Sequence, residues 1–288
     1  MKSQRTITIL VLVIALLAIL ATTTALFSSE GNGEYVYTSI HGEDVVIYGK
    51  GLYKHMSSEV AVQGLAQDVI TLVAGVPLLL FGLFSARRGS LKGRFLLSGV
   101  LLYFLLTYQF YLAMAMFNTM FLTYVVLLSC SFFAFILLIL QMKPATLMAA
   151  FHERTPVKWV GGFLVFNALL IGMQWLQVIV PAVIANKPPV GIEHYTTMIV
   201  QGYDLAIYIP ASFLAGILLF TKKPLGYVLA PVYITFLSMI MLALTSKIVG
   251  MWLTGYEVFP VIILFPLLLT LTLTNASLMY RNVRPTSQ

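Results

Sequence analysis

Two aspartates stand directly before apolar segments that are long enough to enter a membrane. Asp68 precedes the segment at about 69–86, and Asp204 precedes the one at about 205–221. A carboxylate at a helix start accepts hydrogen bonds from free N–H groups and meets the positive end of the helix dipole, so one expectation is an N-cap at each position. The other expectation is functional: a pair of acids that binds a cation or a basic ligand near the outer surface.

Polar side chains also form two stripes inside apolar segments. The first stripe consists of Tyr103, Thr107, Tyr111 and Asn118. The second consists of Asn167, Gln174 and Gln177. At about 100° per residue, each stripe occupies one broad helix face. One expectation is interhelical hydrogen bonding, worth about 0.6 kcal/mol per bond. The alternative is that both stripes line one outward-opening cavity for a polar or amphipathic ligand.

Ionisable residues are absent from the centres of the apolar segments, which weighs against an ion-driven pump. Lys247 lies one turn from the outer end of its segment. A Schiff base with retinal requires a deeper lysine and a carboxylate counter-ion, so we expect the Lys247 ammonium to extend to the membrane interface.

Motifs of soluble enzymes and of metal sites are missing. Cys130 is the only cysteine, which excludes an intrachain disulfide. No histidine pair has the spacing of a zinc protease, and no phosphate loop, nucleophile elbow or dinucleotide fingerprint occurs. We therefore expect no metal and no cofactor, and on balance no enzymatic activity.

Composition explains why the apolar segments must be membrane spans. The chain has 288 residues, of which 60% are hydrophobic and 9% charged, whereas a soluble domain has about 25% charged residues. A span of about 20 residues crosses the hydrocarbon layer, and only a helix satisfies its own backbone there. The sequence predicts an all-α bundle of eight spans, at about 6–27, 69–86, 95–117, 120–141, 159–184, 205–221, 226–249 and 257–279. The first span could instead be a cleaved signal; we favour a retained helix.

Charge asymmetry orients the bundle. With the N-terminus inside, 13 of the 17 Lys and Arg residues lie in inner loops, and all acids except Glu153 lie outside. Positive charge is enriched in cytoplasmic loops, so we expect a cell-membrane protein with both termini cytoplasmic. The membrane orientation accounts for the net charge of +7. We therefore expect the lipid bilayer as a partner and no binding of nucleic acid.

An internal duplication relates the two halves. Val-Gln-Gly precedes both aspartates, a proline (Pro77 or Pro210) follows inside each short span, and a basic turn ends it. Four spans per half give both halves the same orientation, as in parallel repeats about an axis along the membrane normal. The predicted units are 1–158, with outer loop 28–68, and 159–288, with outer loop 185–204.

The first outer loop reads as a small β-hairpin followed by a helix. Segments 34–40 and 44–48 are rich in β-branched and aromatic residues around a His-Gly-Glu turn. The serines at 57 and 58 resemble a helix start, and we expect a short surface helix that ends near Gln67. The inner loop at 145–151 is expected to form a short interfacial helix.

Five short motifs lie within residues 45–140: Gly49-x-Gly51-Leu52-Tyr53, Asp68-x-x-Thr71-Leu72, Pro77-Leu78, Arg88-Gly89-Ser90-Leu91-x-Gly93-Arg94 and Asn118-x-x-Phe121-Leu122-x-Tyr124. Through these motifs the segment resembles a prokaryotic family of uncharacterised polytopic membrane proteins. The resemblance implies a bacterial or archaeal cell membrane. It implies no activity and no functional residue.

Three functions follow as hypotheses. The first is transport or binding of a small polar or amphipathic solute from the outer side, supported by the repeat and the polar stripes. The second is a structural or regulatory subunit that docks a membrane protein partner through its outer loops. The third is an intramembrane enzyme that modifies lipid, with outer acids as bases.

Overall fold

The computed structural model describes residues 2–284, and its side chains from residue 4 onward. Within that part of the chain, eight helices are long and apolar enough to cross a membrane. The predicted number of spans and the all-helical class are therefore confirmed, and the chain is a multi-pass membrane protein by this criterion.

Eleven α-helices, a short 3-10 helix (Gly51–Tyr53) and one small sheet are the main elements of the described residues. The helices are α1 (Lys2–Phe27), α2 (Ser58–Ile70), α3 (Val76–Arg87), α4 (Leu91–Met114), α5 (Phe121–Ile139), α6 (Pro144–Ala149), α7 (Val157–Ala185), α8 (Ile199–Tyr203), α9 (Ile209–Phe220), α10 (Gly226–Leu253) and α11 (Val261–Arg281). Short π-helical turns, Thr71–Gly75 and Asp204–Tyr208, join α2 to α3 and α8 to α9, so that each pair forms one continuous span. The helix α6 confirms the helix expected in the 145–151 loop.

Helix α10 is the centre of the bundle. It packs on α2, α4, α9 and α11, whereas α7 packs mainly on α9. Accordingly, 72% of the most apolar window of α10 is buried, against 6% for α7. Groups placed on α10 therefore face both halves of the chain.

The two ends of the bundle differ in the segments they carry. One end, here the hairpin end, holds β1 (Tyr35–Thr38) and β2 (Asp44–Ile47), which pair antiparallel and confirm the predicted hairpin. At the opposite, basic end, Arg87 donates a hydrogen bond of 3.3 Å to Thr8, and the backbone of Arg284 bonds to the end of α6.

The surface helix expected before the second span is wrong in its end point. Helix α2 begins where expected, because the Ser57 hydroxyl accepts from the backbone N–H of Val60. It does not end near Gln67 but continues into the membrane span, since no glycine or proline interrupts it there.

Both N-cap expectations are wrong for the same reason. Asp68 is the eleventh residue of α2, counted from Ser58. Asp204 follows α8, which begins five residues earlier at Ile199, and opens the π-helical turn. Neither carboxylate is at a helix start, so both are available for contacts with other elements.

Prolines explain where the π-helical turns lie. Pro77 and Pro210 are the second residues of α3 and α9, immediately after the turns. A proline has no N–H and its ring clashes with the carbonyl four residues earlier, and a π-helical turn re-routes the hydrogen bonds of that region. Each short span is thus interrupted next to its aspartate.

Glycines at equivalent places bring the helix pairs together at the basic end. A Cβ on Gly93 would lie 2.6 Å from the Ala86 nitrogen, and one on Gly226 would lie 2.3 Å from the Leu219 nitrogen. The same number of residues, 133, separates Gly93 from Gly226 and Ala86 from Leu219. Only glycine permits this approach of α4 to α3 and of α10 to α9.

Candidate functional site

The carboxylate of Asp68 is buried in the bundle and bound by two phenols. Asp68 is 1% exposed. Tyr53 donates a hydrogen bond of 2.5 Å to its Oδ2, and Tyr111 donates one of 3.1 Å to its Oδ1. Hydrogen bonds to a charged acceptor are roughly twice as strong as neutral ones, so the phenols hold the carboxylate in place.

Tyr53 reaches Asp68 from a turn that is fixed to the end of α1. Gly51 has φ of 56°, and a Cβ there would lie 2.4 Å from the carbonyl oxygen of Ser28. The Ser28 hydroxyl accepts a hydrogen bond of 2.8 Å from the backbone of Leu52. Burial and the Asp68 charge raise the pKa of Tyr53 well above its ordinary value, so its hydroxyl remains a donor.

Further tyrosines surround this pair. Tyr108 stacks on Tyr124 with 5.9 Å between ring centroids, and Tyr111 meets Tyr124 edge-on at 5.4 Å. The hydroxyl of Tyr108 is buried and finds no hydrogen-bond partner among the described residues, whereas the buried hydroxyl of Tyr124 interacts with Tyr53 and Asn118. We call Tyr53, Tyr103, Tyr108, Tyr111 and Tyr124 the tyrosine cluster.

Gln67, the neighbour of Asp68, connects α2 to the polar stripe of α4. Its Nε2 donates hydrogen bonds of 2.8 Å to Tyr103 and 3.2 Å to Thr107. The hydroxyls of Thr71 and Tyr103 lie 2.8 Å apart. These bonds are of the interhelical kind expected for the stripe.

A lysine on the central helix joins the two aspartates electrostatically. Lys247 is half-buried on α10, and its charge interacts with Asp204 most strongly and also with Asp68. Trp175 on α7 donates a hydrogen bond of 3.0 Å from Nε1 to Oδ2 of Asp204. With both acids in helix caps, as expected from the sequence, Lys247 would have no carboxylate partner within the spans; the structure provides two.

The three ionisable groups lie in the hairpin half of the membrane-spanning region. At about 1.5 Å per residue, Asp68, Asp204 and Lys247 lie roughly 24–32 Å from the basic ends of their helices. The hydrocarbon layer is about 30 Å thick. We call these three residues the charged triad.

The second loop packs on the hairpin and on the start of α2. Ser57 donates a hydrogen bond of 2.5 Å to Glu193, His41 is 3.0 Å from the carbonyl oxygen of Tyr195, and His194 is 3.0 Å from that of His55. Burial raises the pKa of Glu193 and lowers that of His194. The segments 28–57 and 186–198 thus form one cap at the hairpin end.

An acidic cavity of about 240 Å³ opens in this cap. It is lined by side chains of the hairpin, of α2, of the second loop and of the segment before α11, and its carboxylates belong to Glu43, Asp44, Glu59 and Glu193. A cleft lined by one sign of charge concentrates ions of the opposite sign. The hairpin end therefore attracts cations.

The structure places the other predicted site residues apart from the charged triad. Gln174 and Gln177 are exposed on α7, and Asn167 is buried on the same helix with its Oδ1 unpartnered among the described residues. Asn118 lies in the α4–α5 turn, where its Oδ1 accepts a hydrogen bond of 2.9 Å from Met120. Helix α4 packs on α3, α5 and α10, whereas α7 packs mainly on α9, and one cavity lined by both stripes stays a prediction.

Several residues of the site were missed by sequence reasoning. Tyr53 and Tyr124 were quoted only in the family motifs and Gln67 only as a helix end, Tyr108 was not named, and no carboxylate partner was expected for Lys247. The available signal was the density of tyrosines in two apolar spans, since a hydroxyl in lipid needs a partner. Their meeting point depends on helix packing and is not visible in local spacing.

Comparison of the chain with protein-family models, with curated proteins and with solved structures gave no match. The resemblance of residues 45–140 to a prokaryotic family thus stays a prediction. The function is therefore inferred from the site alone.

Proposed function

We propose that this multi-pass membrane protein binds a small polar solute that carries a positive charge and moves it across the membrane. The observation that carries the proposal is the charged triad: Asp68, Asp204 and Lys247 come from three helices and interact inside the spanning segments. Ionisable side chains are costly in a membrane and mark functional sites by default.

Charge and exposure support a cationic solute. Two carboxylates face one ammonium, so the ionised triad keeps a net negative charge. Asp204 and Lys247 are half-buried, whereas Asp68 is 1% exposed. The acidic cavity lies at the same end and raises the local concentration of cations.

A duplicated architecture supports a site between two halves. We propose that 1–158 and 159–288 are parallel repeats about an axis along the membrane normal. The spacing of 133 residues that relates the packed glycines also relates Pro77 to Pro210 and the two π-helical turns. In addition, α2 packs on α10 and α8 packs on α4, as a twofold axis requires.

The repeat register makes the proposed site asymmetric. With a spacing of 133 residues, Asp204 corresponds to Thr71 and Asp68 corresponds to Gln201. The Val-Gln-Gly motif gives a different spacing of 138. Each half thus contributes one acid, but at different depths, and the two acids need not do the same work.

The proposed orientation places the hairpin end outside and both chain ends in the cytoplasm of a prokaryotic cell. Thirteen of the 17 Lys and Arg residues belong to the basic-end loops and termini, which the positive-inside rule assigns to the cytoplasm. The solute then enters from the outer side.

A thermal-shift screen of the protein in lipid nanodiscs tests the proposal. Size-matched amines, amino acids, organic acids and neutral sugars are compared. We expect stabilisation by solutes with an ammonium group, its loss in Asp204→Asn, and its retention in Lys247→Met, which removes a positive charge, and in the exposed control Glu153→Gln. Equal stabilisation by acids and sugars, or unchanged binding in Asp204→Asn, contradicts the proposal.

A second candidate function is docking of a protein partner through the hairpin. Every residue of β1 is exposed, including Tyr35 at 49% and Val36 at 65%, and its outer edge is unpaired in the two-stranded sheet. Exposed strand edges recruit further strands. Deletion of residues 34–48 should then remove a co-purifying partner and reduce the complex size; an unchanged size contradicts this function.

A further inference from the structure

Asp68 differs from Asp204 in access and in partners. Both of its oxygens accept phenol hydrogen bonds, and it is 1% exposed. Asp204 is half-buried and is bound by the indole of Trp175. A solute of several heavy atoms can approach Asp204, whereas only a proton can reach Asp68 without displacing a side chain.

The groups around Asp68 are almost all neutral hydroxyls. The turn before α2 presents Tyr53, α5 presents Tyr124, and α4 presents Tyr103, Tyr108 and Tyr111. Among the residues that the structure describes, Lys247 on α10 is the cation whose charge acts on Asp68, and the same charge acts on Asp204. Helix α1, which also packs on α2, carries its charged residues at the basic end.

An unpartnered hydroxyl and its neighbour point to a mobile proton. Tyr108 and Tyr124 are each 1% exposed, and the Asp68 charge acts on both. The Tyr108 hydroxyl has no partner among the described residues, and the Tyr124 hydroxyl interacts with Tyr53. Leaving a buried hydroxyl unpaired costs about 1–3 kcal/mol on the protein scale. A phenol both donates and accepts, so such groups provide positions through which a proton can be passed.

We propose that Asp68 is a reversible proton-binding site and that its protonation controls binding of the cationic solute; this rests on the function proposed above. In the step, an O–H bond of a hydronium ion at the hairpin end breaks and an O–H bond forms on a carboxylate oxygen of Asp68. A water molecule remains, and no electron is transferred. Tyr53, which joins the cap to Asp68, is the first hydroxyl on this path.

Coupling follows from the shared lysine. When Asp68 is ionised, two carboxylates share the charge of Lys247 and a cation is attracted. When Asp68 is neutral, Lys247 balances Asp204 alone and the attraction is lost. Proton and solute therefore compete for the charged triad, which is the condition for exchanging one for the other across the membrane.

Infrared difference spectroscopy between alkaline and acidic pH, in lipid nanodiscs and without solute, tests the proton site. We expect a carboxylic C=O band on acidification that is absent in Asp68→Asn and present in Asp204→Asn. Tyr53→Phe removes one hydrogen bond to the carboxyl, so the band should move to higher frequency. A spectrum of Asp68→Asn identical to that of the wild type overturns the proposal.

Two controls keep the outcomes distinct. If Asp68→Asn does not fold, Tyr53→Phe and Tyr111→Phe retain the carboxyl, and a band unchanged in both overturns the proton site. An Asp68 band without any binding of amines supports the proton site and contradicts the proposed function. Binding of amines without the band contradicts the proton site and leaves the proposed function in place.

Discussion

The phenol of Tyr53 lies outside the spanning helices, yet it donates a hydrogen bond of 2.5 Å to Asp68, a carboxylate that is 1% exposed inside the bundle. The cap at the hairpin end is thereby tied directly to the ionisable core. Any movement of the cap that breaks this bond changes the environment of Asp68.

Tyr53→Phe should destabilise the protein more than Tyr111→Phe. A hydrogen bond to a charged group contributes about 1.5–3 kcal/mol, and the Tyr53 bond, at 2.5 Å, is shorter than that of Tyr111, at 3.1 Å. The free energy of unfolding in mixed detergent micelles measures both losses. Tyr35→Phe on the exposed strand is the control, and a Tyr53→Phe variant as stable as that control contradicts the assignment.

Gly93→Ala and Gly226→Ala should each cost about 2 kcal/mol or more. A methyl group at either site meets backbone nitrogen at 2.6 or 2.3 Å, and overpacking of this kind typically costs 1–3 kcal/mol. Gly162→Ala in α7 meets no atom within 4 Å and should be neutral or mildly stabilising. Thermal denaturation of the three variants compares them; equal melting temperatures argue against the close approach.

The second loop should loosen on acidification. Burial lowers the pKa of His194 from its ordinary 6.5. The folded loop thus favours neutral histidine: its docking is complete above pH 6.5 and weakens as the pH falls through the lowered pKa. Glu193 acts in the opposite sense. Because burial raises its pKa, the docked loop favours the protonated carboxyl: this contribution is complete below the ordinary pKa of 4.5 and is lost as the pH rises through the raised pKa.

Hydrogen exchange of residues 186–198 at pH 7.5 and 5.5, corrected for intrinsic rates, measures this effect. We expect less protection at pH 5.5 in the wild type. In His194→Gln, acidification should no longer reduce the protection of residues 186–198 from exchange, while any contribution of Glu193 to that protection remains. The same loss in both proteins assigns the pH response to another group.

Local patterns in the sequence were sufficient for the spans and the hairpin. A segment in lipid must form its backbone hydrogen bonds internally, so a long apolar segment identifies a helix. The β-rich segments on either side of His41-Gly42-Glu43 predict the hairpin that the structure contains. The same local logic misplaced the acids. An aspartate before an apolar run resembles a cap, but the helix had already begun at Ser58.

The site itself depends on contacts that are distant in sequence. Tyr53 belongs to a loop, and Lys247 lies 179 residues after Asp68 on another helix. Nothing in the spacing around any of these residues encodes the packing of α2 on α10 that unites them. A single sequence therefore predicts the elements and leaves their meeting point open.

The amides of α7 should be dispensable for solute binding. Gln174 and Gln177 are exposed on a helix that packs mainly on α9. Replacement of both by Leu is expected to leave the shift produced by amines unchanged, because neither residue belongs to the charged triad. Loss of that shift with retained folding locates the solute on α7, as the polar stripe in the sequence suggested.

The central claim is that Lys247 and the aspartates act as one electrostatic unit, and a double-mutant cycle tests it most directly. The free energy of unfolding is measured for Lys247→Met, Asp204→Asn and the double variant, with Lys247→Met and Glu153→Gln as the control cycle. We predict a coupling of about 1 kcal/mol or more in the first cycle and additivity in the control. Additivity of Lys247→Met and Asp204→Asn within about 0.5 kcal/mol would contradict the account.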